Sequence, residues 1–158
     1  MPRSKRLKMS LLRLYPPYLG AGVCPDYIAP DFSCFDVKMV MRFWNRNYVG
    51  THFGGSLYSM CDPFFMLILL ECLGRDYLVW DKTASIRFKR PGRGTVWARF
   101  HVPRDEVERV RGLADREPTV EPVYSTRILD SDGELVAEVE KRLWVSKKRR
   151  KSEAAQEQ

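Results

Sequence analysis

The densest group of polar and glycine residues in this sequence lies at the start of a long apolar segment. Residues 47–62 read Asn-Tyr-Val-Gly-Thr-His-Phe-Gly-Gly-Ser-Leu-Tyr-Ser-Met-Cys-Asp. A helix beginning at Gly55 and Ser56 would leave its first backbone N–H groups without partners in that helix, and the helix dipole would add partial positive charge there. Because glycine has no side chain, a ligand can approach these groups closely. Such a helix end can polarise a carbonyl group and stabilise the oxyanion that forms on nucleophilic attack.

Asp62 adds a carboxylate to the same region. It follows Gly55 by seven residues, or two helical turns, which predicts that both lie on one face of the helix. Phe64 and Phe65 follow almost at once, and partial desolvation beside them is expected to raise the pKa of Asp62 toward that of a general base. In the alternative interpretation, Asp62 only accepts hydrogen bonds from loop amides and stabilises the loop.

The apolar segment itself predicts the element that carries these groups. Residues 56–73 form a continuous apolar block that does not alternate, and Gly74 closes it. The block is too long for a strand and ends in a residue typical of helix termini. It therefore predicts a central, mostly buried helix, with a kink at Pro63 because proline removes one helical hydrogen bond.

Around this helix the sequence predicts one domain that is rich in strands. Residues 7–19 predict a weak helix that ends at Pro16-Pro17, and residues 20–30 predict a connector. Alternation predicts strands over residues 33–44, 83–89, 96–102, 123–129 and 135–145, with a charged helix over 103–113 and a hairpin turn over 130–133. Such a sheet must cover its apolar face, and the central helix is the only long apolar element. We therefore expect an α+β fold with residues 1–29 as an N-terminal helix and connector, residues 30–146 as the domain, and residues 147–158 as a disordered tail.

The charge of the chain belongs to its ends. The 158 residues include 27 Lys and Arg against 20 Asp and Glu, a net charge of +7. Residues 1–13 hold five basic and no acidic residues, and residues 147–158 hold five basic against two acidic ones, so residues 14–146 have a net charge of −1. A nearly neutral domain argues against nucleic acid as the partner.

The cysteines and the most apolar run indicate in which cellular compartment the protein is expected. The four cysteines form no Cys-x-x-Cys pair and lie near no pair of histidines, which predicts reduced thiols in a cytoplasmic protein and no metal site. The most apolar run stops at Glu71, short of the roughly 20 residues that a membrane span needs. We expect no membrane span.

At residues 50–63 the sequence resembles the hotdog-fold thioesterase superfamily. A bacterial branch of it carries G-T-x-F-G-G-S-L-Y-S-x-x-D-P, present here as Gly-Thr-His-Phe-Gly-Gly-Ser-Leu-Tyr-Ser-Met-Cys-Asp-Pro. The phenylacetyl-CoA thioesterases show Asn, Gly, His-Gly-Gly and Asp at fixed offsets, and this chain has Asn47, Gly50, Gly54-Gly55 and Asp62 there. A downstream Arg-Phe-Lys-Arg-Pro run is similar to the third strand of the family. The resemblance covers about residues 30–146 and implies a hotdog fold, an antiparallel sheet wrapped around one long helix.

The resemblance also implies roles for residues. Asp62 would orient or activate water for attack on an acyl thioester, the Gly55 N–H would bind the oxyanion, and Asn47 would come from a partner subunit. One position departs from the pattern, because Phe53 stands where the family has histidine and His52 stands one residue earlier. The function expected is hydrolysis of an acyl-CoA or acyl-carrier-protein thioester. The alternative is a non-catalytic protein that binds acyl thioesters or coenzyme A.

Further residues are candidates for binding the substrate, and each has a structural alternative. The candidates beside the glycines and on the following strand and turn are His52, Phe53, Gly54, Ser56, Thr83, Ser85, Arg87, Arg90 and Arg93. The arginines suit the phosphates of coenzyme A, since guanidinium groups match phosphate oxygens, but they also suit a solvated strand end. His52 also fits a solvent-exposed loop, Asn47 a turn residue, and Thr83 and Ser85 a solvated strand face. We expect no cofactor other than coenzyme A as part of the substrate, and a homodimer with a continuous sheet, or further a tetramer, because a single sheet leaves an edge strand open.

Overall fold

A computed structural model describes Met9 and residues 11–148; most of the predicted basic tail, from residue 149 on, lies outside the described residues. In chain order the elements are a 3-10 turn Leu11–Leu14, helix α1 Pro16–Ala21, strands β1 Val23–Ile28 and β2 Cys34–Val40, helices α2 Gly54–Ser59 and α3 Phe64–Leu73, strands β3 Tyr77–Phe88 and β4 Thr95–His101, helix α4 Arg104–Ala114, and strands β5 Val123–Leu129 and β6 Leu135–Lys147.

The strands of the described residues form one antiparallel sheet in the order β1-β2-β4-β5-β6-β3. Along β2, Phe35, Val37 and Met39 are fully buried while their neighbours are partly exposed, which is the period-2 alternation of a strand with one buried face. The buried face packs on the helical segment of residues 54–73, as the contacts of Phe64 with Phe35 and Phe100 show. This arrangement confirms the hotdog fold and the α+β class.

The central helix is interrupted. The sequence predicted one kinked helix over residues 56–73, whereas α2 ends at Ser59 and α3 begins at Phe64. Pro63 has no N–H to donate, and in the gap the N–H groups of Cys61 and Asp62 turn back to the carbonyls of Tyr58 and Ser59. Asp62 therefore lies in a break between two helices, and the two-turn argument that placed it on the face of Gly55 does not apply.

By length and composition alone, Gly54–Leu73 is able to cross a membrane, and 44% of its apolar window is buried inside the protein. A core helix satisfies the same criterion, and Phe64, Ile68 and Leu69 have no exposed surface. The guanidinium of Arg111 in α4 donates to the carbonyls of Leu73 and Cys72 at 2.9 and 2.8 Å, which satisfies the C-terminal end of α3. These contacts are those of a core helix.

The N-terminal prediction was wrong in two places. Pro16-Pro17 begins α1 rather than ending a helix, because the first helical turn needs no N–H from proline. The predicted connector contains β1, which pairs with β2 and shows a register shift near Pro25. An edge strand accommodates proline because half of its N–H groups face away from the sheet.

Strand bounds also differ from the predictions. Strand β2 ends at Val40, so Phe43 lies in a loop and is 80% exposed. Strand β3 starts at Tyr77 rather than at residue 83, and its second half is exposed on both faces, including Ala84 and Phe88. Strand β6 continues to Lys147, where the tail was expected to begin. The hairpin turn is confirmed, since Asp130 Oδ1 accepts hydrogen bonds from the N–H groups of Asp132 and Glu134.

Candidate active site

Asn47 organises the loop that leads to α2. Its Oδ1 accepts hydrogen bonds from the N–H groups of Val49 and Thr51 at 3.1 and 2.9 Å, and its Nδ2 donates to Thr51 Oγ1 at 2.8 Å and to the His52 carbonyl at 3.3 Å. Both polar atoms of the amide are therefore engaged within its own loop. This geometry is that of the turn residue considered above as the alternative.

His52 is buried, so the expectation of a solvent-exposed loop histidine is wrong. Only 3% of its surface is exposed, its Nε2 lies 2.9 Å from the Gly94 carbonyl, and its backbone N–H donates to the Gly92 carbonyl. Since a carbonyl only accepts, Nε2 carries the proton and Nδ1 is the basic nitrogen; Nδ1 has no hydrogen-bond partner among the described residues. Burial lowers the pKa of His52, which keeps the ring neutral.

The start of α2 is less open than the sequence suggested. The N–H of Ser56 donates to the Phe53 carbonyl at 2.9 Å, so it is not free for a ligand. The ring of Phe53 folds over Gly55, with its Cε1 only 2.5 Å from where a Cβ on Gly55 would stand. Phe53 is nonetheless 60% exposed, so its ring has room to move. Access to the Gly55 N–H therefore depends on the position of Phe53.

A cavity of about 360 Å³ lies beside this helix end. Its lining comes from the loop, the helix start and the turn after β3, and includes the predicted binding residues His52, Gly54 and Arg90. The lining residues are Thr51, His52, Gly54, Leu57, Phe88, Lys89, Arg90, Pro91 and Gly92. The Phe88 ring rests on Gly54, where a Cβ would come within 3.0 Å of it. A cavity of this size falls in the range that binds small molecules. Asp62 does not line it.

Asp62 instead belongs to a charged cluster with Lys141 and Asp81. Lys141 Nζ donates to Asp62 Oδ1 at 2.6 Å and to Asp81 Oδ2 at 2.7 Å. The lysine side chain has no exposed surface, whereas those of Asp62 and Asp81 are 46% and 25% exposed. Three charged groups thus meet at the boundary between the core and solvent.

The pKa of Asp62 moves opposite to the prediction. Desolvation by burial raises the pKa, as expected from the sequence, but hydrogen bonding to Lys141 and to Asp81, together with the charge of Lys141, outweighs that effect and holds the pKa below its usual value. Burial raises the pKa of Asp81, against the opposing effect of the same lysine. The two carboxyl groups interact and titrate as a pair, with Asp62 the more acidic. Asp62 is therefore a carboxylate at neutral pH.

The remaining candidates lie on or after the edge strand. Thr83, Ser85 and Arg87 are exposed on β3. Arg90 pairs with Asp130 and lies 3.5 Å from Glu134, whereas Arg93 contacts the Gly50 carbonyl at 3.4 Å. Among the candidate arginines Arg87, Arg90 and Arg93, the charge of Arg90 is thus already balanced by carboxylates of the turn between β5 and β6.

Lys141 and Asp81 were missed by sequence reasoning, although both leave a signal. Along β6 the buried positions alternate through Val139, Lys141, Leu143 and Val145, so a lysine occupies a core position. A buried ammonium needs an anionic partner. The strand was also started too late to include Asp81, which continues the inward series of Tyr77 and Val79.

Comparisons with known proteins agree with the fold. Residues 3–145 match the model of a family described as Domain of unknown function (DUF4442). A protein of unknown function from Pseudomonas aeruginosa, called a probable thioesterase, is similar in structure with a TM-score of 0.82 and 18% identity, covering 94% of this chain and 99% of that one. A thioesterase from Haemophilus influenzae has a TM-score of 0.63 and 15% identity over 88% of each chain.

A protein of unknown function from Chlorobaculum tepidum is also similar, with a TM-score of 0.72 and 16% identity over 92% of this chain and 94% of that one. No curated protein matches the chain. At these identities, the solved structures establish the fold of the chain.

Proposed function

The chain belongs to the DUF4442 family, whose description states no reaction, and we propose that it hydrolyses an acyl thioester of coenzyme A or of acyl-carrier protein. The observation that carries the proposal is the Asp62 carboxylate, which Lys141 holds ionised while nearly half of the side chain stays exposed. The names of two similar structures contain the word thioesterase, which supports this reaction class.

In the proposed reaction, Asp62 orients a water molecule toward the thioester carbonyl carbon. The water oxygen forms a bond to that carbon, its proton passes to Asp62, and the charge on the carbonyl oxygen is stabilised by the Gly55 N–H once the Phe53 ring has moved aside. The carbon–sulfur bond then breaks, and the leaving thiolate takes the proton from Asp62. The products are a carboxylic acid and a free thiol. Because the pKa of Asp62 is lowered, we assign it more to orienting water than to strong base catalysis.

The site is proposed to be completed by a second copy of the chain. The cavity beside Gly54 and the Asp62 cluster are separate within one chain, and β3 lies at the edge of the sheet with its second half exposed on both faces. An edge strand of this kind suits pairing with a second sheet. We propose a homodimer in which Asp62 of one subunit faces the cavity of the other.

Mixing two inactive variants tests this assembly. In Asp62→Asn the carboxylate is lost, and in Gly54→Val the cavity is obstructed because even a Cβ would meet Phe88. Random reassortment would place one intact site in each mixed dimer and restore about a quarter of wild-type activity. If the mixture stays inactive while mixed dimers form, or if the active species has the mass of one chain, the composite site is wrong.

A thiol-release assay over acyl-CoAs of varied length, including aromatic ones, tests the reaction. We expect release by the wild type and a fall of roughly 100-fold or more in kcat for Asp62→Asn, because the attacking water loses the carboxylate that orients it and takes its proton. Glu140→Gln is the matched control, because Glu140 is an exposed carboxylate on the outer side of β6. Wild-type rates in Asp62→Asn would contradict the role of Asp62.

The second candidate function is binding without catalysis. The Phe53 ring over Gly55 favours it, since the ring covers the helix end and stands where the thioesterase pattern that this sequence resembles has histidine. Thermal stabilisation by coenzyme A or an acyl-CoA, without thiol release from any compound tested, would support this candidate over hydrolysis.

A further inference from the structure

We infer that Lys141 is a positioning residue for Asp62 and that Asp81, the second carboxylate on the same ammonium, sets the pH range in which Asp62 acts. This inference rests on the proposed hydrolysis. It adds two residues, one on β6 and one on β3, to the predicted catalytic residues, which the sequence placed on the loop and the central helix.

The geometry fixes the ammonium in one place. Two of its three N–H donors are directed at Asp62 and Asp81 over 2.6 and 2.7 Å, and Nζ also lies 5.6 Å from the centre of the Tyr58 ring. Distances in this range are those of charge-assisted hydrogen bonds. Because Lys141 has no exposed surface, no bulk water competes for these donors. The Asp62 Oδ1 atom is held, and the rest of its carboxylate stays accessible.

Lys141 differs from the other lysines that form ion pairs. The side chains of Lys38, Lys82, Lys89 and Lys147 are between 35% and 52% exposed, and their pairs lie on the surface. Surface pairs of this kind contribute little to stability. A lysine in the core has a large desolvation cost, and replacing such a pair by apolar residues is often neutral or stabilising. Stability alone therefore gives little reason to keep a lysine at this position.

Three separate elements converge on the cluster. Asp62 lies in the break between α2 and α3, Asp81 lies where the pairing of β3 with β6 shifts register, and Lys141 pairs with Ala84 while Asp81 pairs with Leu143. The register shift between Asp81 and Thr83 brings Asp81 diagonally next to Lys141. The helix break and the strand irregularity thus meet at the same ammonium.

The charges of the cluster depend on these three residues. Among the described residues, the other titratable groups that face it are the Tyr18 hydroxyl, which donates to the Asp62 carbonyl, the Tyr58 hydroxyl and the Cys61 thiol. Burial raises the pKa of all three, so they stay neutral near pH 7. The ionisation of Asp62 therefore responds to Lys141 and Asp81, and both hold the pKa of Asp62 down.

Two substitutions should raise the pKa of Asp62, to different extents. Lys141→Met removes the ammonium, which acts on Asp62 both by a hydrogen bond and by its charge, so the pKa of Asp62 rises. Asp81→Leu removes only the carboxyl group of Asp81, which also holds the pKa of Asp62 down by hydrogen bonding, so the pKa of Asp62 rises by less. A purely structural role would lower kcat or stability in both variants without moving the acidic limb of the pH–rate profile.

The experiment measures kcat/KM against pH for wild type, Lys141→Met, Asp81→Leu and the control Glu140→Gln. We expect the acidic limb to move up by about one to three pH units in Lys141→Met, up by less in Asp81→Leu, and not at all in the control. Limbs that coincide with wild type in both variants, or a limb that moves down in either, overturn the inference. If Lys141→Met does not fold, Asp81→Leu alone still decides, because only an upward shift agrees with the inference.

A carbon-13 NMR titration of aspartate carboxyl groups, assigned with the Asp62→Asn spectrum, separates this inference from the proposed function. Absence of thiol release by the wild type would overturn the proposed function. The titration would still decide whether Lys141 and Asp81 control the ionisation of Asp62. Thiol release with unchanged carboxyl titrations in both variants would overturn only the inference.

Discussion

The charged cluster makes a quantitative prediction about stability. The ion pairs can be removed in two ways. Lys141→Met removes the cation, and the double substitution Asp62→Asn with Asp81→Asn removes both anions. Each leaves charge without its former partner. The groups that remain differ in exposure, because the lysine side chain is fully buried while the carboxylates are 46% and 25% exposed. We expect the double substitution to cost more stability.

The magnitudes follow from what solvent can reach. The double substitution leaves a buried ammonium without an anion, which costs about 3–5 kcal/mol. This cost has an upper limit at pH 7, because the buried lysine can lose its proton instead of staying charged. Lowering its pKa from about 10.4 to 7 corresponds to roughly 5 kcal/mol. In Lys141→Met the exposed carboxylates regain water, so we expect a loss of about 1–2 kcal/mol.

The pH dependence of the two variants has opposite signs. In Lys141→Met one carboxyl pKa rises above its unfolded value, so the folded state binds more protons and stability falls as pH increases above about 4. In the double variant the folded pKa of Lys141 falls below its unfolded value, so stability increases as pH rises toward about 10.

Urea unfolding at pH 5, 7 and 9 measures these differences, provided that the slopes against urea stay equal, so that midpoints report stability. A larger loss at pH 7 in Lys141→Met than in the double variant would refute the reasoning. A free energy of unfolding that changes with pH in the same direction in both variants would also refute it.

Two further predictions concern residues outside the cluster. Gly22→Ala should lower the free energy of unfolding by at least about 2 kcal/mol, because Gly22 has φ +78° and a Cβ would lie 2.5 Å from the Val40 carbonyl oxygen. The matched Gly20→Ala, where a Cβ meets nothing within 4 Å, should stay within about 1 kcal/mol of wild type. Because burial lowers the folded pKa of His52, the unfolded state binds more protons below about pH 6.5 and wild-type stability should fall on acidification. His52→Gln should flatten that dependence between pH 7.5 and 5.5 in urea unfolding, and a dependence equal to that of wild type would contradict it.

Much of the fold was predictable because its signals are local. Alternating side chains predicted β4, β5 and β6, the Asp-Ser-Asp-Gly turn predicted their last hairpin, and the charged segment predicted α4. The wrong predictions concern elements at the sheet edge. Strand β1 contains proline and β3 is exposed on both faces over half its length, so neither shows the pattern of a half-buried strand. Their formation as strands depends on hydrogen bonding to a neighbouring strand, β2 for β1 and β6 for β3.

The candidate site divides in the same way. The sequence placed the glycines and Asp62 near a helix start, since these residues lie close together in the chain. The Phe53 ring over Gly55 and the burial of His52 depend on packing, and the sequence indicated neither. Lys141 is 79 residues from Asp62, so only the tertiary structure shows which carboxylates neutralise it.

The sequence by itself indicated a sheet that packs on a central apolar helix and a carboxylate near the start of that helix, because hydrophobic periodicity and turn residues are local features of the chain. The resemblance at residues 50–63 identified this arrangement as a hotdog fold. The tertiary structure decided the ionisation of that carboxylate. Burial raises the pKa of Asp62, but the buried ammonium of Lys141 on the last strand, together with Asp81, lowers that pKa by more than burial raises it. The outcome depends on a charge that folding brings within 2.6 Å.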